Sequence, residues 1–205
     1  MGNKQNGKYT EDLTYEDKEK VIVAIIANLS YCEYALISIT NSEVIHEYQI
    51  GLSFSLAMSS LYEALNIFSS IKGCIAETVQ ENPHLIDSWR SLTSKSTNKF
   101  KKEILQTVRN KSSFHVDPDT VGSLLSTNTY LKSLNLWDKY EGNDPEWSSP
   151  LARDLINFHL ISVVDKANDK SWAFTFEQTY KNLTNFVKEL SDIWLVKNNQ
   201  ISISS

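Results

Sequence analysis

Apolar side chains recur every three or four residues along much of this chain, which is the period of an α-helix with one buried face. The first such stripe consists of Ile22, Ile25, Leu29, Cys32 and Leu36. Thr14 and Asp17 precede it with the spacing of a helix N-terminus, and Asn41 and Ser42 interrupt it. The pattern therefore predicts a long first helix.

A second stripe follows after this short interruption. It consists of Ile50, Phe54, Ala57, Leu61, Ala64, Phe68 and Ile71. Gly73 follows directly and is predicted to cap the C-terminus of the second helix. Two long helices joined by a short break most simply form an antiparallel hairpin.

Three more helices are predicted downstream. The third buries Phe100, Ile104, Leu105 and Val108 and begins at a cap on Ser96 or Thr97. The fourth begins near Ser148 or Ser149, before Pro150, and buries Leu151, Leu155, Ile156, Leu160 and Val163. The last buries Phe176, Tyr180, Leu183, Val187, Leu190 and Trp194.

The stretches between these helices are less regular. Residues 74–95 contain Pro83, which limits helix continuity, and predict a short packed segment. Residues 119–147 place Trp137, Tyr140 and Trp147 among turn-forming residues and predict an irregular, aromatic-rich insertion. The sequence thus predicts an all-α, up-and-down bundle of about five helices. We expect a flexible leader at 1–13, one domain at 14–197 and a frayed tail at 198–205.

The composition agrees with a helical protein and limits what it can bind. Among 205 residues there are only 6 Gly and 4 Pro, so few residues interrupt helices. The net charge is -5, which argues against coating nucleic acid through overall charge. Cys32 and Cys74 lack metal-ligand spacing, the N-terminus lacks a signal-peptide core, and the longest apolar run, 21–27, is too short to span a bilayer. We expect a soluble cytoplasmic protein without a membrane partner.

The third predicted helix is strongly basic in an otherwise acidic chain. Residues 90–111 contain seven basic side chains and a single acidic one, Glu103, which leaves a local charge of +6. Such a local asymmetry can steer a polyanion to one face of a protein. The alternative is an ordinary solvated helix face, which is what a run of charges usually is.

The basic helix ends in the heptapeptide Arg-Asn-Lys-Ser-Ser-Phe-His at 109–115, just before Pro118. An Arg guanidinium can hold a phosphate through its planar fork, and a His can move protons near neutral pH. Arg109 and His115 both flank the apolar seam that Val108 marks if the helix continues to His115. This combination predicts phosphodiester chemistry on RNA.

An Arg, a polar residue and then a His at this spacing resembles the motif of the HEPN family. The resemblance implies a helical bundle that dimerises and cleaves RNA without a metal or cofactor, leaving a 2′,3′-cyclic phosphate. It further implies His115 as general acid or base, Arg109 as the group that stabilises phosphate charge, and Asn110 as an orienting residue. Lys99, Lys102 and Lys111 would then bind the RNA backbone. Many members act in toxin–antitoxin, abortive-infection or CRISPR-linked defence systems, so an antitoxin or defence-system protein is an expected partner.

Two features qualify this resemblance. Asp117 stands two positions after His115, where one toxin branch of the family has a Tyr. A second match runs from Arg153 to His159 with the same spacing. We favour the first match because it ends a basic helix at a Pro break, whereas His159 lies among apolar residues, where a His is more often part of a core.

Two other readings remain open from the sequence. One is a non-catalytic HEPN-like module that binds RNA or a partner protein, and the other is a purely structural helical module in which the motif is a coincidence. The His and Cys spacings fit no zinc site, and Glu43 with His46 supplies only one of the two Glu-x-x-His pairs of a di-iron bundle. We therefore expect no metal site.

Overall fold

The structure is a computed structural model. It describes residues 13–40, 47–110 and 171–195, together with positions 125–127, 129, 133, 138–139, 147–148 and 163. The predicted leader, the predicted tail and most of the predicted fourth helix lie outside the described residues, although Val163 is described as helical and buried.

Helices dominate the described part of the chain, which contains seven α-helices, one 3₁₀ turn and one π-helical segment. Their bounds are α1 (Tyr15–Thr40), α2 (Glu47–Ser70), α3 (Lys72–Glu81), the 3₁₀ turn (Pro83–Leu85), α4 (Ile86–Thr93), α5 (Lys95–Phe100), the π segment (Lys101–Leu105), α6 (Gln106–Val108) and α7 (Trp172–Leu195). The predicted all-α bundle is confirmed.

The first two helices form the predicted antiparallel hairpin. The Ser38 and Ser53 hydroxyls, near the end of α1 and the start of α2, lie 3.0 Å apart. Farther from the connection, Asn28 of α1 and Glu63 of α2 line the same groove. Contacts that pair later residues of α1 with earlier residues of α2 require the two helices to run in opposite directions.

The centre of the bundle is an aromatic cluster that joins three helices. The ring of Phe68 on α2 lies 5.6 Å from Trp89 on α4 and 5.5 Å from Phe186 on α7, both edge to face. Trp89 and Phe186 also contact each other, at 6.1 Å between centroids. Rings in this geometry stabilise a core beyond the area that they bury.

Polar contacts fix the position of α7 against the short helices. The Trp194 indole Nε1 donates to the Thr78 hydroxyl of α3 at 3.0 Å, and the Asn182 amide donates to the Ser91 hydroxyl of α4 at 2.8 Å. These bonds satisfy polar groups that would otherwise be costly to bury. They attach α7 to the short helices near its middle and near its C-terminal end.

The apolar stripes predicted for the described helices are largely confirmed. On α1, Ile22, Ile25, Leu29 and Cys32 are buried, and the Thr14 hydroxyl accepts a hydrogen bond from the Asp17 amide at 3.2 Å, as its position predicts. On α2 the stripe is buried from Ala57 onward, whereas Ile50 and Phe54 are half-buried. The third and last stripes are buried too, except that Tyr180 is half-buried.

Local details differ from the prediction at two helix boundaries. Gly73 does not cap α2, because α2 ends at Ser70 and Gly73 lies in the first turn of α3. The cap of the third predicted helix is Ser94, whose hydroxyl accepts from the Thr97 amide at 3.1 Å, and not Ser96 or Thr97. Thr97 instead donates to the Ser91 carbonyl, which satisfies a free end of α4.

Residues 74–95 do not form the single short segment that was predicted. They contain most of α3, the 3₁₀ turn that begins at Pro83, α4 and the first residue of α5. A Pro is tolerated at the first position of a helix because its missing N–H would have no partner there.

One small element interrupts the helical pattern within the predicted aromatic-rich insertion. Asp138–Lys139 (β1) and Trp147–Ser148 (β2) pair as an antiparallel ladder of two residues each. Trp137 and Tyr140 lie outside the described residues.

Helix α1 is apolar on both sides, which was not expected from its single stripe. The most apolar 18-residue stretch within Tyr15–Ile39 has a mean hydropathy of 1.7, and only 28% of that stretch is buried inside the bundle. Val23, Ile26 and Ile37 are exposed on the outer face. By length and composition alone α1 could cross a membrane, but core helices of soluble proteins share these properties.

Truncating the central ring of the aromatic cluster should strongly destabilise the bundle. We expect Phe68→Ala to lower the free energy of unfolding by about 3–5 kcal/mol, because it leaves a cavity between three helices. The matched control is Phe174→Ala, since Phe174 is 64% exposed, and this change should cost less than about 0.5 kcal/mol. Urea denaturation followed by circular dichroism measures both, and equal losses would contradict the central role of Phe68.

Candidate functional site

The predicted site begins with Arg109, which directly follows the last residue of α6. Its neighbour Val108 is fully buried, whereas the Arg109 side chain is 39% exposed. Val108 therefore faces the core, and the next residue, Arg109, places its guanidinium at the surface. Surface access is what a group that binds a phosphate from solution requires.

Two polar contacts orient the Arg109 guanidinium. Its Nε donates to Glu63 Oε1 of α2 at 2.8 Å, and its Nη1 donates to the Asn110 side-chain oxygen at 3.2 Å. The structure thus brings together two of the three predicted catalytic residues, Arg109 and Asn110. The third, His115, lies outside the described residues, as do Arg153 and His159 of the second motif match.

Glu63 is the site residue that the sequence analysis did not assign. It lies 46 residues from Arg109 along the chain, and its side chain is 36% exposed. A signal was present, since Glu63 is the sole charged residue between positions 48 and 70. A lone charge in an otherwise uncharged stretch of a helix indicates a specific partner, although not which one.

The lysines predicted to bind substrate differ in their surroundings. Lys99 and Lys102 are exposed on the basic helix, and Lys99 Nζ lies 3.7 Å from Glu103. Because both groups are exposed, that pairing contributes little to stability and leaves Lys99 accessible to a stronger anion. Lys111 lies outside the described residues.

Lys101 has turned inward, so the basic helix is not a uniform charged face. Its Nζ donates to the Leu65 carbonyl at 3.2 Å and to the Ser69 hydroxyl at 3.0 Å, and it lies 5.9 Å from the centre of the Tyr62 ring. Burial, together with the smaller effect of the nearby charge of Lys72, lowers the pKa of Lys101 to about 8, although Glu63 opposes the shift. Lys101 therefore anchors the helix to α2.

A groove runs between α1 and α2 and reaches Glu63. Its volume is about 520 Å³, and most of its wall is apolar. The groove is lined by Asn28, Tyr31, Tyr34, Ala35, Ser38, Ser53, Leu56, Ser59, Ser60 and Glu63. Since Glu63 also binds Arg109, the groove and the candidate site share a side chain.

The cysteines and acidic residues suggest no further chemistry in the described part of the chain. Burial raises the pKa of the Cys32 thiol to about 12, with a smaller effect of Glu33, so Cys32 is an inert core group. Among the described residues, His, Cys, Asp and Glu side chains form no group of three that could hold a metal ion.

Comparisons with family models, curated proteins and solved structures gave no match to this chain.

The inward position of Lys101 gives a pH dependence of stability with a definite sign. Its folded-state pKa, about 8, lies below the ordinary value of 10.5. Between these pH values the unfolded chain holds more protons than the folded chain, so the contribution of Lys101 to the free energy of unfolding rises with pH.

We expect wild type to gain stability relative to Lys101→Met as the pH rises from 8 to 10.5. Urea denaturation of both proteins across this pH range measures the difference between their free energies of unfolding. Because all other titratable groups are the same in the two proteins, their contributions cancel in this difference. Parallel stability curves would contradict the inward, partly desolvated state of Lys101.

Proposed function

We propose that this protein is a HEPN-like, metal-independent endoribonuclease of the cytoplasm. The observation that carries the proposal is the position of Arg109, which is partly exposed on a basic helical run and held by Glu63 and Asn110. A guanidinium oriented in this way can direct in-plane N–H donors to a phosphate without first losing much conformational freedom.

The proposed reaction uses the ribose of the substrate as its nucleophile. The 2′-oxygen attacks the adjacent phosphorus, the bond to the 5′-oxygen of the next nucleotide breaks, and a 2′,3′-cyclic phosphate and a 5′-hydroxyl remain. His115 accepts the proton of the 2′-hydroxyl or donates one to the leaving oxygen. Arg109 stabilises the negative charge that grows on the phosphate oxygens, while Asn110 orients Arg109.

The exposed lysines of the basic helix would hold the rest of the RNA chain. Lys99 and Lys102 are exposed on the same helical run that contains Arg109, and Lys111 follows Asn110 in the sequence. Neutralising backbone phosphates in this way makes affinity fall with salt. An overall charge of -5 restricts such contacts to this local patch.

Homodimerisation, an antitoxin or defence-system partner, and a role in phage defence or toxin–antitoxin systems belong to the same proposal. They rest on the resemblance of residues 109–115 to the HEPN motif. The proposal gives the protein no resident cofactor, since side chains supply both the proton transfer and the charge stabilisation.

A non-catalytic HEPN-like module that binds a partner protein is the second candidate. The outer face of α1 favours it, because Val23, Ile26 and Ile37 are 57%, 43% and 44% exposed. An apolar stripe of this kind on an amphipathic helix is typical of surfaces that contact another protein. RNA cleavage distinguishes the two candidates directly.

Removal of the proposed proton carrier should abolish cleavage. We expect wild type to cleave single-stranded RNA in EDTA, and His115→Ala to reduce the rate about 10²–10⁴-fold, as general acid–base catalysis predicts. The matched control is His159→Ala, which should retain wild-type activity. Product ends identified by mass spectrometry should be 2′,3′-cyclic phosphates.

The opposite pattern, with activity lost in His159→Ala and retained in His115→Ala, would assign the reaction to the second motif. An absence of any cleavage by wild type across tRNA, mRNA and single-stranded oligonucleotides would favour the binding module.

Glu63 should act as a positioning residue for Arg109. We expect Glu63→Gln to lower kcat about 10-fold, since a misplaced charge-stabilising group costs rate, while KM does not rise, because the neutral amide no longer repels the phosphate. Because the ion pair is more than one-third exposed, the free energy of unfolding should fall by less than about 1 kcal/mol. A fall in stability without any change in kcat would show a purely structural role.

A further inference from the structure

We propose that the groove between α1 and α2 binds the nucleobase next to the phosphate held at Arg109. This inference rests on the proposed function and names the part of the substrate that the groove recognises. The groove is a site distinct from the heptapeptide, since its lining comes from α1 and α2.

Glu63 connects the two halves of the proposed site. Its carboxylate accepts the Arg109 Nε at 2.8 Å, and the same side chain lines the end of the groove. A phosphate that contacts the guanidinium would therefore be separated from the groove by no more than the side chain of Glu63. Since a single ribose joins a phosphate to its base, one nucleotide can span both places.

The chemistry of the groove fits a base and does not fit a phosphate. Among the described residues that line it there is no Lys, Arg or His, and the one charged side chain among them is Glu63. The wall is mainly apolar, and Tyr31 and Tyr34 are 69% and 74% exposed. Charge is thus complementary along a nucleotide, with a cation at the phosphate end and an uncharged aromatic surface at the base end.

Polar groups in the groove can contact the edges of a base. The Asn28 side chain and the hydroxyls of Ser38 and Ser53 lie among the apolar lining. A mostly apolar cavity with a few polar groups is typical of small-molecule sites, and a volume of about 520 Å³ lies within their range of about 300–1,000 Å³. Stacking on a Tyr ring tolerates every base, whereas amide and hydroxyl contacts can discriminate among them.

The outer apolar residues of α1 continue past the rim of the groove. Val23, Ile26 and Ile37 form an outer apolar stripe. At about 100° per residue, Ile37 lies about 160° around the helix from the buried Ala35 at the floor of the groove, but only about 60° from the exposed Tyr34 at its rim. The floor of the groove and the stripe therefore lie on different sides of α1, and Tyr34 lies between them.

Binding of uncleavable RNA to variants of the two tyrosines tests the proposal. The probes are a labelled 2′-O-methyl oligonucleotide, the same strand with abasic sugars, and adenosine 5′-monophosphate, each titrated in EDTA. Because loss of base stacking costs affinity, we expect Tyr31→Ala or Tyr34→Ala to weaken binding of the base-containing strand about 10-fold. Binding of the abasic strand should not change.

The matched control is Phe174→Ala, which removes a ring that is also exposed, but on α7. It should bind every probe as wild type does. Circular dichroism and sedimentation show that each variant keeps its fold and its oligomeric state.

Each result decides between distinct conclusions. Unchanged affinity in both tyrosine variants, with RNA cleavage intact, would overturn the groove proposal and leave the ribonuclease standing. Loss of nucleotide binding in these variants, in a protein that cleaves no RNA, would support the groove and overturn the ribonuclease. If affinity falls only together with dissociation of a dimer, the groove is a subunit interface. Failure of wild type to bind any probe would overturn both proposals.

Discussion

The burial of α2 is the constraint on which the rest of the described structure depends. Phe68 fixes the rotation of this helix, since its ring is enclosed by Trp89 and Phe186. Glu63 lies five residues earlier and thus about 140° around the helix. When Phe68 faces the centre of the bundle, Glu63 must face the boundary between core and solvent, where α1 and the end of α6 can both reach it.

The basic helix illustrates how packing redistributes a charge that looks uniform in the sequence. Lys101 contacts Leu65 and Ser69, whereas Arg109 contacts Glu63. Later residues of one helix thus meet earlier residues of α2, so the two run antiparallel. Both cations bind polar atoms of α2, and the Arg109 side chain stays 39% exposed. Burial of Lys101 costs solvation and lowers its pKa, which suits an anchor better than a group that binds substrate.

Much of the fold could be predicted from periodicity, because a long stripe such as that of α7 leaves one way to bury its apolar face. The boundary at Ser94 was missed because Ser94, Ser96 and Thr97 are all good cap residues, and the choice depends on how α4 and the next helix pack. The role of Gly73 was missed because the chain resumes a helix at Lys72, after a break of one residue. The contact of Arg109 with Glu63 could not be predicted from the sequence for a different reason. It joins residues 46 positions apart, and only the packing of the third helical run on α2 brings them together.

The Glu63–Arg109 pair has consequences for what the proposed site would bind. A carboxylate next to the guanidinium repels an incoming phosphate, so Arg109 alone would hold inorganic phosphate weakly. An adjoining groove whose described lining holds no cation can supply the missing affinity through the base. The two halves together would then select a whole nucleotide over either of its parts. In this arrangement Glu63 contributes little to stability, since the pair is partly exposed, but it determines both the orientation of the cation and the need for a base.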